Sequence, residues 1–479
     1  MFKKIFKIFI FVLFLFCLPH YVFAYRDFQE IKSSKKIKMI TNAEFAPFEY
    51  IDETGKICGA DIDIAQKIAE KMGFILEVES VEFDSILISL QNGSADFALA
   101  AITYSDEKAK NASFSNPYFK TTQRIIVPKT SKMQNSKELK EKKIGVVLGY
   151  KGDLYCSEIF GEDYVVRYKN APSAFSDLLN SRIDAFVVDD FTAQSLVNTK
   201  PDAVKIINET LTDEEYVIGV AKDNKELLEN INKILEELKS SGEIEKFVDE
   251  NKTKNLKTYK TNENNIYIRY VPLILEGLKN TMLLTLCAVI IGAALGILLA
   301  ICRLTGEENK KLKILSLISK CYTSIIRGTP IIIQLFLMYY VVFKFLGNKF
   351  TAAIIAFGLN SAAYVAEIVR AGIESVGKGQ LDASRSLGLD YKTSMINIVI
   401  PQALKNVMPA LVNEFVSLLK ETPLVGLIGL TDLSRSSDVI RSVTYDALTP
   451  LLIVAIIYLV IILILLKFSS LVERKLKKC

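Results

Sequence analysis

Histidine occurs once, at position 20, and tryptophan not at all. With one histidine, and that one near the N-terminus, neither His-dependent catalysis nor a histidine-bearing metal site can be assembled. The missing tryptophan, beside abundant Lys, Asn and Ile, reads as genomic bias and excludes nothing. Of the seven cysteines, Cys287, Cys302 and Cys321 fall in or beside apolar runs, where they serve as small hydrophobes. A net charge of +5 is small for 479 residues and is not gathered into a stripe, so nucleic acid is not a partner. A phosphate loop is missing too. Gly372-Ile-Glu-Ser-Val-Gly-Lys-Gly379 approaches G-x-x-x-x-G-K-[ST] but ends in glycine, without the hydroxyl that holds magnesium. It also follows an apolar run, where a nucleotide fold needs a strand.

What is present divides in two. The length accommodates roughly two to four domains, and charges are dense to about Tyr270 and sparse beyond it. Met1-Phe-Lys-Lys-Ile-Phe-Lys7, the apolar run to Leu18, and Val22-Phe-Ala24 predict a secretory signal peptide over 1–24. An uncleaved signal anchor is the alternative, and either puts the next domain outside the membrane. Cys17, the lipid-anchor candidate, follows Phe14-Leu-Phe16 and lacks the small residues that cleavage needs. From Lys35 to about Asn251, short apolar strands alternate with helical stretches. Residues 37–40, 74–81 and 97–100 read as strands, 63–72 and 85–91 as helices. That alternation predicts an α/β domain over 25–250, with its ligand beyond the carboxyl ends of the strands. Residues 251–270, rich in Lys, Asn and Thr, predict a flexible polar linker that holds this domain at a high effective concentration near its neighbour.

The remainder, 271–479, predicts an all-α membrane domain. Runs at 281–302 and 447–466 are long enough to cross a bilayer, and 328–343, 350–366 and about 407–430 make five crossings in all. The fourth carries Glu414, Lys420 and Glu421, which cost a few kcal/mol each at bilayer depth and so must face protein or water. Arg303, Lys310, Lys311 and Lys313 follow the first run, and Arg474, Lys475, Lys477 and Lys478 follow the fifth. Basic flanks of this kind put the C-terminus in the cytoplasm, together with the loop 379–401.

That loop, Gly379-Gln-Leu-Asp-Ala-Ser-Arg-Ser-Leu-Gly388 closing on Pro401, resembles the segment by which an ABC importer permease engages its ATPase. Arg327-Gly-Thr-Pro330 with Gln334, Ala363-Tyr-Val-Ala-Glu-Ile-Val-Arg370 and Pro401-Gln-Ala403 sharpen the resemblance towards permeases of the polar amino-acid uptake family. A helix–turn–helix offered to a partner needs small residues, a turning glycine and a proline to restart. Gly379, Asp382, Ala383, Ser384, Gly388 and Pro401 are the expected coupling residues. The family usually has Glu and Ala where this chain has Asp382 and Ser384.

The first half resembles the extracellular solute-binding proteins for amino acids, family 3. Thr41-Asn-Ala-Glu-Phe-Ala-Pro-Phe-Glu49, Gly59-Ala-Asp-Ile-Asp63, Leu90-Gln-Asn-Gly-Ser-Ala-Asp96, Ala101-Ile-Thr-Tyr-Ser-Asp-Glu-Lys108, Phe114-Ser-Asn-Pro-Tyr-Phe119 and Asp184-Ala-Phe-Val-Val-Asp189 carry it, in order. The resemblance implies a two-lobed periplasmic-binding-protein fold, with lobe 1 at 35–120 plus 213–250 and lobe 2 at 121–212. Cys58 and Cys156 then fall in different lobes, unpaired. A free amino acid needs a carboxylate for its ammonium, a cation and main-chain donors for its carboxylate, and shaped walls. By resemblance Asp189 takes the ammonium, Thr103 and the main chain near Ala101 supply hydrogen bonds, and Phe45 and Phe83 are the walls. Lys108 stands where the family has an arginine, a flexible point charge in place of a planar fork. Gly149-Tyr-Lys-Gly-Asp153 replaces the usual Gly-Thr-Thr, and its Lys151 is a second candidate for the ligand carboxylate. Asn42, where binders of basic amino acids commonly have an aspartate, favours a neutral polar ligand, glutamine first, cystine next and arginine or lysine last. Glu44 reverses that order if it turns inward.

Together these imply a fused binding and permease subunit of a type I amino-acid importer, acting as a homodimer in the cell membrane. ATP and Mg belong to a separate ABC ATPase, and no cofactor is expected on this chain. A glutamate-receptor-type ligand-gated ion channel also joins this binding fold to spans. There, however, the spans interrupt the binding domain, and no filter such as TVGYG occurs here. An enzyme on the same binding fold is a third class, without a visible catalytic addition.

Overall fold

The computed structural model describes residues 26–52, 54–260, 266–308, 312–343 and 348–478. The segment read from sequence as a signal peptide, with Cys17 and His20, and residues 261–265 of the expected linker lie outside the described residues. The chain forms two compact units. One takes 26–276 together with Ser434–Ile453, the other Gly277–Leu433 together with 454–478.

The strands of the first unit, in chain order, are β1 (Lys36–Thr41), β2 (Glu44–Phe45), β3 (Glu49–Ile51), β4 (Ile57–Cys58), β5 (Ile75–Ser80), β6 (Phe97–Ala98) and β7 (Ala112–Phe114). They continue with β8 (Phe119–Pro128), β9 (Ile144–Val147), β10 (Val165–Tyr168), β11 (Ala185–Asp189), β12 (Val204–Tyr216) and β13 (Gly219–Ala221). Two five-stranded sheets result, ordered β5-β1-β6-β13-β7 and β10-β9-β11-β8-β12. Every residue of β9 and β11 is buried, as expected of strands covered by helices on both faces. The sheets are the centres of two lobes. β8 and β12 join them as one long antiparallel pair, with Val204 opposite Pro128 and Tyr216 opposite Phe119. Register shifts between Ile206 and Thr210 and between Thr210 and Asp213 bend the pair where it passes from one lobe to the other.

Helices cover the sheets by simple patterning. Lys225–Ser240 starts where Asn224 accepts a hydrogen bond from the Leu227 N–H, and buries Leu227, Ile231, Ile234, Leu235 and Leu238 along one stripe. The next helix, Glu243–Lys260, runs into the segment read from sequence as flexible linker. It persists because Asn251 is buried, its Nδ2 donating to Asp63 Oδ2 at 2.7 Å and to the Phe247 carbonyl at 2.9 Å. Lys252 then reaches Gln194 and the face of Phe191. Polar composition alone does not show such anchors.

In the membrane half, Val271–Thr305, Lys349–Glu374, Tyr391–Ile428 and Thr449–Leu471 are long and apolar enough to cross a bilayer. Lys313–Arg327 and Ile331–Val342 meet at 103° and make a fifth crossing if the bent pair counts as one. The break lies at Gly328-Thr-Pro330, and Gln334 accounts for it chemically. Its Nε2 donates to the Ile326 carbonyl at 2.8 Å and the Thr329 carbonyl at 3.1 Å, while its Oε1 accepts from Asn360. Carbonyls released by the bend are satisfied inside the protein, as hydrocarbon requires. Nearby, a Cβ on Gly296 would stand 2.6 Å from Val365, so only glycine lets these two helices approach this closely.

The helix Lys378–Ser386 ends in a turn through Gly388 at φ +90°, and Asp390 caps the next helix by accepting from the Thr393 N–H. A π-helical segment, Met395–Val399, leads straight into Ile400–Glu421. Pro401 therefore does not restart a helix, contrary to the sequence reading. It sits in a helix already running, where the wider π turn accommodates the missing N–H.

Candidate ligand-binding cleft

The cleft lies where β6, β8, β11 and β12 reach their ends between the two lobes. Its inner chamber is small, about 20 Å³, and is lined by Phe45, Phe83, Ala100, Ala101, Thr103, Lys108, Gln123, Gly149, Tyr150, Asp189, Glu214 and Tyr216. An outer chamber of about 190 Å³ includes Asn42, Glu44, Glu82, Asp84, Tyr168, Lys169, Ser442 and Tyr445 in its lining. Phe45, Phe83 and Tyr150 line both chambers. Tyr150 packs edge-on to Phe45 at 6.2 Å and tilted on Phe83 at 4.9 Å, so the three rings form a collar between the chambers.

Asp189 closes β11 and caps the helix Asp190–Thr199, its Oδ1 accepting from the Thr192 N–H at 2.9 Å. Its Oδ2 is buried and has no hydrogen-bond partner among the described residues. Burial pushes this carboxyl up to about 7, against the Thr192 bonds and with Glu214 and Asp190 adding to the rise. A carboxylate oxygen in that position is short of one positive donor. Asp190 is differently employed. It accepts from Arg124 Nε at 2.8 Å and Gln194 Nε2 at 2.6 Å, so it is no solvated twin of Asp189.

Glu214, on β12, is a buried acid that the sequence reading missed. It accepts from Thr103 Oγ1 and, at 2.6 Å, from Gln123 Nε2. Burial raises its carboxyl, opposed by those two bonds and by Lys108 and Lys151. Lys108 donates to the Thr103 carbonyl at 3.2 Å and stands 5.8 Å over the Phe83 ring. Burial holds its ammonium below the usual lysine range, with Glu214 and Glu107 pulling it back.

Six of the eight binding residues expected from sequence meet in the inner chamber: Phe45, Phe83, Ala101, Thr103, Lys108 and Asp189. Two of these have other commitments. The Ala101 N–H donates to Asp61 Oδ2 at 3.1 Å, part of a buried network in which Tyr118 donates to both Asp61 oxygens. The Thr103 hydroxyl donates to Glu214, which leaves its oxygen to accept. Asn42 lines only the outer chamber, and its Nδ2 is held by the Val81 carbonyl at 2.8 Å. Lys151 lies apart, in a groove with Thr103, Lys120, Asp213 and Glu214. Glu44 does turn inward. It shares the outer chamber with Asn42, and burial raises its carboxyl, opposed by Arg435.

A two-lobed α/β clamp closing on buried carboxylates defines an extracellular solute-binding fold, here continuous with helices of a membrane transport component. Residues 37–252 match the bacterial extracellular solute-binding proteins, family 3. Residues 292–478 match the binding-protein-dependent transport system inner membrane component family. The arginine transport system permease protein ArtQ of Bacillus subtilis is 43% identical over 213 residues, covering 44% of this chain and 95% of that protein. A protein of Neisseria gonorrhoeae named "Probable histidine-binding protein" is 34% identical over 219 residues, 44% of this chain and 81% of its own length. A crystal structure of a mutant of ArgBP from T. maritima is 36% identical, covers 46% of this chain and 97% of its own, and has a TM-score of 0.43. The chain belongs to the amino-acid ABC importers and carries the solute-binding domain and the permease domain on one polypeptide. It is a membrane transport component, and no finding favours the ion-channel alternative.

Proposed function

We propose that this chain captures a free amino acid outside the cell and passes it through a membrane path formed by two copies of itself, driven by a separate ABC ATPase that holds the ATP and Mg. The observation that carries the binding half is Asp189 Oδ2, a buried oxygen without a hydrogen-bond partner beside the inner chamber. The ligand's ammonium sits there, its carboxylate faces Lys108, and its side chain passes the aromatic collar into the outer chamber. Glu44 and Glu82 in that chamber, with Asn42 tied to Val81, support a cationic side chain ahead of glutamine, reversing the order read from Asn42. That a relative is named for arginine transport agrees with this order.

Residues 25–250 form the binding domain, with lobe 1 at 35–120 and 213–250 and lobe 2 at 121–212, followed by a connection over 251–270 that stays helical to Lys260 and by the permease domain 271–479. The binding domain lies outside and the C-terminus inside. In support, Ser434–Ile453, which follows the fourth crossing and ends in the first turn of the last one, belongs to the same compact unit as the binding lobes. The ATPase docks on the turn around Gly388, where Leu387 is 85% exposed, an apolar side chain that fits a protein partner. Gly379, Asp382, Ala383 and Ser384 lie in the helix of that surface, and Pro401 beyond it. For the homodimer, Asn413, Ser417 and Lys420 lie exposed along one face of a crossing helix, which suits a second copy or a water-filled path and not lipid.

Calorimetric titration of the purified full chain with L-arginine, L-lysine, L-histidine and L-glutamine tests the reading. The tightest ligand should be basic. Glutamine binding at least tenfold tighter than every basic amino acid would return the ranking to Asn42.

A further inference from the structure

From Ser434 onward, the helix Leu433–Thr444 and the loop after it follow the fourth crossing in sequence, yet they pack in one compact unit with the binding lobes. They touch both lobes. On the first lobe, Arg435 is 4% exposed and its Nη1 forms ion pairs with Glu44 and, at 2.6 Å, with Glu82. On the second, Arg441 Nη2 donates to Ser173 Oγ at 2.8 Å. Tyr445 is buried in the same apolar cluster as Val147, Ala174 and Phe175, and Ser442 and Tyr445 wall the outer chamber. One short segment thus straddles the mouth of the cleft and puts a guanidinium on the carboxylates nearest the ligand's side-chain end.

Charge counting makes the consequence specific. Lys169 Nζ is 3.5 Å from Glu82, and Arg435 bridges Glu82 and Glu44. Glu44 and Glu82 are then matched by two cations, with Asp84 the further carboxylate on the chamber's lining. A third cation, arriving on a ligand side chain, would find Glu44 and Glu82 already paired, and so lose the two counter-charges that would offset its burial. A neutral side chain loses nothing of the kind. We propose that Arg435 is an internal competitor for the side-chain end of the cleft: with the helix docked, its guanidinium holds Glu44 and Glu82 and selectively weakens cationic ligands. With the helix withdrawn, the pair is free to receive them. Docking against the permease-side segment then favours release, without any change at Asp189. The proposal rests on the reading that Glu44 and Glu82 receive the ligand's side chain.

The test uses the full chain in lipid nanodiscs, with dissociation constants for L-arginine and L-glutamine measured calorimetrically. Arg435→Ala should tighten L-arginine at least fivefold and leave L-glutamine within twofold, which also shows that the cleft is intact. Arg435→Lys, which keeps the charge on a more strongly hydrated ammonium, should fall between. Glu44→Gln should weaken L-arginine selectively. If Glu44→Gln does so but Arg435→Ala leaves L-arginine unchanged, competition is overturned and the side-chain reading stands. If Glu44→Gln spares L-arginine, or L-arginine does not bind the wild type, the side-chain reading falls and the proposal with it. Equal weakening of both ligands by Arg435→Ala would make Arg435 a structural support of the cleft and overturn competition.

Discussion

Asp189 and Asp190 are neighbours with opposite fates, and the difference is one of partners. Asp190 has Arg124 and Gln194, whereas one oxygen of Asp189 has no hydrogen-bond partner among the described residues. On the proposed binding mode, truncating Asp189 would leave the ligand ammonium buried and unpaired, a loss of about 2–5 kcal/mol. Asp189→Ala should therefore weaken the dissociation constant by roughly 30-fold to several thousand-fold at pH 8, and a change below threefold in titration would remove Asp189 from the site. Asp190→Ala, by contrast, should lower the thermal midpoint through loss of the Arg124 pair and leave affinity within about threefold. The raised carboxyl at Asp189 adds a pH signature. With the free site half-protonated at about 7, ligand must displace a proton below that value. Affinity should be flat above pH 8 and fall towards tenfold per pH unit below about 6.5; a profile flat from pH 5 to 8 would contradict the assignment. The position of Asp189 on the chamber wall was legible because it ends an apolar strand within a familiar run of residues. Glu214, Gln123 and Tyr216 were not, because β8 and β12 bring them in from positions about 90 residues apart, with no local pattern to mark them.

At the scale of elements, periodicity located the strands and helices wherever one face is buried. It failed where a side chain from elsewhere decides. The helix Glu243–Lys260 outlasts its apolar pattern because Asn251 reaches Asp63, and the crossing at Lys313–Val342 is broken because Gln334 can satisfy the freed carbonyls. The turn at Gly388 was legible, since a left-handed φ calls for glycine, while the π segment that absorbs Pro401 has no sequence signal. A side chain at Gly388 would meet no other atom within 4 Å, so its cost is conformational, about 1–2 kcal/mol. That strain is enough to reorient an exposed turn without unfolding the helices beside it. Gly388→Asp should leave amino-acid affinity unchanged and abolish ATP-driven uptake in proteoliposomes containing the partner ATPase. Wild-type uptake would exclude this turn as the contact.

Across the binding unit, five buried acids share one direction. Asp189 is raised to about 7 and Asp61 to about 6, and Glu49, Glu214 and Glu44 are raised as well, in each case chiefly by burial. A clamp that must surround a charged ligand keeps carboxylates where the fold alone would not choose them. The sign of the consequence follows from proton counting. Between the ordinary carboxyl range near 4 and these raised values, the folded chain holds more protons than the unfolded one, so stability falls as pH rises through that window. On the proposed binding mode the ligand shifts this balance at Asp189, whose ionised form would gain the ammonium, and in the same direction at Glu44 when the side chain is basic. The ligand-free full chain should thus show a calorimetric transition, assigned to the binding unit by its shift with ligand, whose midpoint drops from pH 5 to pH 7.5. The upward shift produced by saturating ligand should grow over the same interval, because at pH 5 the ligand must first remove a proton from Asp189. A ligand-free midpoint that rises from pH 5 to 7.5 would mean that these carboxyls are ionised in the folded chain at no cost, and that the cleft is wetter and less closed than its burial implies.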